Sequence, residues 1–172
     1  MMSRLIIDAA TSLDGFWADA RGRSVLPVDR VRGHGLIRNC GAVVMSERSY
    51  RSAGALARSG ETQPALFVVA EARPRDDLPG IRFVKTFAAA FAAAREAAGE
   101  KAVLVIGETS AVTAALRSGE ADEMWLHVVS RTLGEGVPLF EEQARVDDYF
   151  VSEMETTSGA VRMHLERRLA PA

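Results

Sequence analysis

The first place in this 172-residue chain where residue types and spacing suggest chemistry is Gly107-Glu108-Thr109-Ser110, directly after the apolar run Val103-Leu104-Val105-Ile106. The run has no polar interruption and reads as a strand buried on both faces. Gly107 breaks it, and Glu108, Thr109 and Ser110 favour the first turn of a helix carried on by Ala111, Val112, Ala114, Ala115 and Leu116. A strand, a glycine turn and a helix aim unpaired N–H groups and the positive end of the helix dipole at whatever sits above the strand, and phosphate is the usual guest. An ordinary strand-to-helix connection with nothing bound has the same pattern. The arrangement recurs where Ala42–Met45 is followed by Ser46, with Ser46 or Ser49 placed to cap a helix running toward Ala57.

Other chemistries find less support. His127 lies in an apolar strand and reads as a packed core histidine, while His34 and His164 are isolated, so metal-ligand spacing is lacking and no metal site is expected. Cys40 is the one cysteine, which excludes an internal disulfide, and it has no assignable His or Asp partner. Ser12, Ser46 and Ser110 do not sit in a Gly-x-Ser-x-Gly elbow, so covalent catalysis is not expected.

The elements that must position these residues alternate. Arg4–Ala10, Ala42–Met45, Ala65–Ala70, Ile81–Val84, Val103–Ile106 and Met124–Val129 read as strands. Pro27 opens a helix with an apolar face at Val28, Val31, Leu36 and Ile37 as far as Asn39, weakened by Gly33 and Gly35. Thr86 caps an alanine-rich helix that Gly99 ends, with Phe87 and Phe91 on one face. Near the end, YFVSEMET and AVRMHLER alternate on either side of Thr157-Ser158-Gly159 and predict a hairpin. The expected fold is therefore α/β: a central, mostly parallel sheet with an antiparallel C-terminal hairpin and helices on both faces. In such sheets ligands bind beyond the carboxyl ends of the strands, where Thr11–Gly15, Ser46–Ser49 and Gly107–Ser110 converge on one cleft.

Composition adds bounds. Hydrophobic residues at 48% and charged residues at 26% describe an ordinary globular chain, and the length suits a single domain over residues 1–172. A formal net charge of -2 gives no pull toward nucleic acid, so any anion must be bound locally. The apolar runs are strand-sized, which argues against a membrane span, and MMSRLII lacks the apolar core of a signal peptide, so a cytoplasmic location is expected.

Four segments carry a family resemblance: Ser12-Leu13-Asp14-Gly15, VVMSERSY at Val43–Tyr50, VIGETSAV at Val105–Val112, and DEMWLHVVSRTLGEGVPLF at Asp122–Phe140. In order and spacing the chain resembles the dihydrofolate reductase-like fold, and within it the reductase domain of bacterial riboflavin biosynthesis and its stand-alone relatives. The resemblance implies a nicotinamide dinucleotide, NADPH or NADH, lying across the sheet with its pyrophosphate between the two strand-to-helix turns. It implies cofactor contacts from Ala10, Ser46, Arg48, Ser49, Gly107, Glu108, Thr109 and Ser110, with Ser49 as the hydroxyl that meets a phosphate. Two departures from the family pattern stand out. Ser46 and Glu47 occupy the places of an expected glycine and arginine, and a Glu47 carboxylate there repels the 2′-phosphate of NADPH. Gly107-Glu108 replaces two successive glycines, so Glu108 either adds bulk and charge beside the cofactor or points outward, where the helix dipole favours it.

Hydride transfer needs positioning, with a proton donor or an orienting carboxylate for a nitrogen heterocycle. By resemblance to dihydrofolate reductase, whose substrate-facing carboxylate lies two residues after a proline, Asp29 after Pro27 is the expected catalytic residue, with Asp14 as runner-up. Asp14 and Trp17 are expected at the substrate, Trp17 either closing over the cleft or simply packing. Arg21, Arg23, Arg30, Arg32 and Arg38 either hold a substrate phosphate, such as a ribityl phosphate, or form a solvated face. The implied activity is reduction of a small pyrimidine- or pterin-like substrate, and the alternative is a non-catalytic binding protein whose site has eroded at Glu47 and Glu108. The alternating apolar residues of the hairpin, and the resemblance, predict a homodimer.

Overall fold

Runs of leucine and β-branched residues become the centre of the sheet. The structure, a computed structural model, describes residues 3–25, 35–53, 64–72, 79–142 and 144–168. The strands are β1 (Leu5–Ser12), β2 (Phe16–Ala18), β3 (Cys40–Ser46), β4 (Ala65–Val69), β5 (Ile81–Val84), β6 (Ala102–Ile106), β7 (Ala121–Val129), β8 (Val137–Pro138), β9 (Tyr149–Thr157) and β10 (Ala160–Arg167). The helices among the described residues are α1 (Leu36–Asn39), α2 (Glu47–Ala53), α3 (Phe87–Ala98) and α4 (Thr109–Ser118). Eight strands form one sheet in the order β5-β4-β3-β6-β1-β7-β10-β9. The pairs from β5 across to β7 are parallel, and β7-β10 and β10-β9 are antiparallel. The expected α/β sheet with its terminal hairpin is the sheet observed, and β3, β6 and β1 are the neighbours at its centre.

Alternation along β1 sorts the two faces. Leu5, Ile7 and Ala9 pack with Val44, Phe67, Val103 and Val105 beneath Phe91 and Ala94 of α3 and Ala111, Val112 and Ala115 of α4. Ile6 points the other way, with Val43, Met45, Leu66, Val68 and Leu104, against Leu36 and Ile37 of α1 and Tyr50 of α2. Each fully buried leucine or valine contributes on the order of 1.5–3 kcal/mol relative to exposure. Helix α3 starts where the Thr86 side chain accepts the Ala89 N–H at 3.2 Å and ends at Gly99, whose φ of 61° is left-handed. Gly41 lets that helix end settle on β3, because a Cβ there would lie 2.7 Å from the Ala98 Cα.

Several elements differ from the sequence reading. Strand β1 runs on to Ser12, and a small two-stranded sheet of β2 and β8 pairs Phe16 with Pro138. Gly35 adopts a φ of 67°, so the described helix begins only at Leu36. The expected helical start at Pro27, and the helix beyond Ala53 toward Ala57, lie outside the described residues. Among the described residues, no helix is long and apolar enough to cross a membrane.

Candidate functional site

Strand β6 is shorter at its carboxyl end than either neighbour. It pairs with β1 only from Leu5 to Asp8, whereas β1 pairs with β7 as far as Ser12. On the other side it pairs with β3 only as far as Val44, leaving Met45 and Ser46 to run on beside β4. The result is a notch. Ile106 and the Gly107 turn form its floor, and the ends of β1 and β3 form its walls. The crossovers that place β6 between β3 and β1 create this opening, which is where a doubly wound sheet offers room to a ligand.

The two strand-to-helix turns meet at the notch. Ser46 ends β3 and caps α2: its hydroxyl accepts the Ser49 N–H at 3.2 Å and lies 3.4 Å from the Ser49 hydroxyl. A Cβ at Gly107 would lie 2.9 Å from that of Ala111 and 3.6 Å from Ser49 Oγ, so the glycine lets the chain turn tightly into α4, and the two turns stand in ordinary contact. The Gly107 N–H in turn donates to the Asp8 carbonyl at 3.2 Å, which pins the turn to β1. Ala10, 5% exposed, lies on the stretch of β1 that β6 leaves uncovered. Beside α2 a cleft of about 580 Å³ is lined by Gly22, Glu47, Arg48 and Arg51. Glu47 accepts a hydrogen bond from Arg51 at 2.6 Å, so this carboxylate and guanidinium are paired at the cleft.

The remaining expected residues divide. Glu108 is neither at the cleft lining nor outward: it is 5% exposed, and Ser110 donates its hydroxyl to the carboxylate. That corrects the outward-pointing alternative. The Thr109 hydroxyl donates to the Pro138 carbonyl, tying the start of α4 to β8. Asp14 is occupied by the turn it makes, accepting from the Ser12 hydroxyl at 2.5 Å and from the backbone N–H groups of Leu133 and Gly134. Those bonds, the Ser12 hydroxyl first, hold its carboxyl down at about 2. Trp17 takes the packing alternative, 6% exposed within the hydrophobic core. Of the five arginines, Arg21, Arg23 and Arg38 are exposed, with Arg23 paired to Asp19 at 2.8 Å. Asp29, like Arg30 and Arg32, lies outside the described residues.

One buried contact went unforeseen. His127 is packed in the core as the sequence reading had it, and Asp8, in the middle of the apolar β1, is buried beside it with Nε2 to Oδ1 at 3.0 Å. The available signal was the charge itself: an aspartate inside RLIIDAA cannot be buried without a partner. His164, read as isolated, stacks on Trp125 with ring centroids 4.0 Å apart and contacts Glu123 and Ser152. Cys40 is buried, and that burial pushes its thiol up to about 11, which leaves it inert as a nucleophile.

The fold is shared with solved structures of two proteins. A candidate riboflavin biosynthesis protein of Shewanella sp. PV-4 superposes with a TM-score of 0.74 at 23% identity, covering 98% of this chain and 100% of that one. A diaminohydroxyphosphoribosylaminopyrimidine deaminase/5-amino-6-(5-phosphoribosylamino)uracil reductase of Thermotoga maritima superposes with a TM-score of 0.70 at 16% identity. That match covers 96% of this chain and 57% of the Thermotoga chain. No protein-family model and no curated protein matches the sequence.

Proposed function

We propose that the protein is a nicotinamide dinucleotide-dependent reductase of a small pyrimidine- or pterin-like heterocycle. The observation that carries this reading is the notch above β6, where the Ser46-Ser49 turn meets the Gly107 turn, and the helix that this first turn opens lines a cleft with Glu47, Arg48 and Arg51. The cleft has the volume of a nucleotide-sized pocket, and its cations suit a phosphate. Among the described residues the buried Glu108 carboxylate does not line it, and Arg48 and Arg51 are the lining groups suited to the anionic end of a dinucleotide. Such a cofactor supplies hydride. The chain's own part is to hold its phosphates at Arg48, Arg51 and Ser49, to present Ala10 at the rim of β1, and to keep the reacting groups out of bulk water. The solved structures of the same fold that are named for riboflavin biosynthesis and for a uracil reductase support this reading.

Glu47 competes with any bound phosphate for Arg51. In nicotinamide fluorescence titrations of the purified protein, saturable binding of NADPH or NADH is expected. Glu47→Gln frees Arg51 and is expected to tighten NADPH over NADH by about threefold to tenfold, the equivalent of ~0.5–1.5 kcal/mol. Absence of dinucleotide binding in the parent protein would remove the reductase reading and leave a binding protein on the same fold.

A further inference from the structure

We propose that Asp8 and His127 form the heterocycle-recognition pair of this site, with Asp8 Oδ2 accepting a ring N–H of the ligand and His127 holding the carboxylate in place. The proposal rests on the reading of the site as a pocket for a heterocyclic substrate.

The first argument is energetic. The two side chains are 6% and 4% exposed and bridge adjacent parallel strands, with Ile6, Ile7, Ala9 and Ala10 flanking Asp8 along β1. A buried, hydrogen-bonded pair of polar side chains recovers little more than its desolvation cost, and apolar residues of similar volume usually serve a core as well or better. The fold therefore has no need of this pair, and a polar pair kept where an apolar one would serve the core points to a functional role.

The second argument is position. Asp8 is the last residue of β1 with a partner on β6, and its carbonyl receives the Gly107 N–H at 3.2 Å. The pair thus lies at the floor of the notch. His127 is in register with Ala10, on the stretch of β1 that β6 leaves uncovered. Asp8 shares its sheet face with Ile6 and Ala10, the face on which Tyr50 of α2 and Val25 pack. Helix α2 also supplies Arg48 and Arg51 to the cleft.

The third argument is chemical. His127 engages Oδ1, and among the described residues Oδ2 takes no hydrogen bond. A carboxylate is an acceptor only, so its ligand must present a donor, as the ring N–H groups of a uracil or pterin do. His127 fixes the orientation of the carboxylate, which makes it a positioning residue.

Binding is read on the full chain from the His127 ring signals in 1H–13C spectra. The probes are 5,6-diaminouracil and its 1,3-dimethyl derivative, which lacks both ring N–H groups. A dose-dependent, saturating shift with 5,6-diaminouracil, weaker by roughly tenfold or more in affinity for the dimethyl compound and for Asp8→Asn, supports the pair. No shift, or equal response to both probes, overturns it. The double variant Asp8→Val/His127→Leu supplies a second measurement that needs no ligand. A urea midpoint equal to or above that of the parent is expected, and a clear fall would make the pair structural and overturn the proposal. Should the parent bind no dinucleotide while His127 still responds selectively to 5,6-diaminouracil, the reductase reading falls and the recognition pair stands.

Discussion

Asp14 shows how a residue expected at the substrate is committed to holding a loop. Its carboxylate ties the exit of β1 to the Leu133-Gly134 turn, and those bonds favour the charged form in the folded protein. With the folded carboxyl at about 2, below the ordinary value of 3.8, the stabilisation is complete above the unfolded value and is lost as the pH falls toward 2. Asp14→Asn is therefore expected to lower the urea midpoint at pH 7, with the gap between parent and variant closing between about pH 4 and pH 2. A gap that stays constant across that range would show that the carboxylate charge is not what holds the turn.

At the scale of elements, the seating of α3 on β3 depends on one missing side chain. A Cβ at Gly41 would stand 2.7 Å from the Cα of Ala98 and 2.8 Å from its carbonyl oxygen, both backbone atoms that cannot rotate aside. Gly41 is not at positive φ, so the conflict is one of packing and not of backbone conformation. Gly41→Ala is expected to push the end of α3 from the sheet and to cost about 1–3 kcal/mol in equilibrium urea unfolding. An unchanged midpoint would mean that α3 shifts at no cost. The same logic applies at Gly107, where the Ala111 side chain takes up the space of a Cβ, so the glycine serves packing of the turn.

At the scale of the whole molecule, the sheet is covered where the helices lie and bare at the β9–β10 end. Register places Met163 opposite Met154 and Leu165 opposite Val151, so these four apolar side chains share one face. Met154 is 66% and Val151 is 51% exposed. The edge itself is guarded: Glu153 and Glu155 lie along β9, and the register shifts beside it, which disfavours strand-to-strand pairing. We propose that a second copy of the chain covers the apolar face of the hairpin. The parent is expected to be a dimer by light scattering at micromolar concentration, and Met154→Glu a monomer with an unchanged circular dichroism spectrum. A monomeric parent, or a variant that remains dimeric, would refute this assembly.

The apolar runs, the glycine and serine turns, the Thr86 cap and the terminal hairpin were legible in the sequence because each is specified by neighbours within a few residues. From them followed the sheet, its hairpin, and the convergence of Ser46–Ser49 with Gly107–Ser110. Register and crossover decided the rest. Asp8 meets His127 across 119 positions, Asp14 meets Gly134 across 120, and Thr109 meets Pro138 across 29. No local pattern announces such contacts, because which residues of two strands stand side by side depends on how far each strand slides against the next. Trp17 and Glu108 carry side chains that suit a cleft as readily as a core, and only tertiary packing buried both.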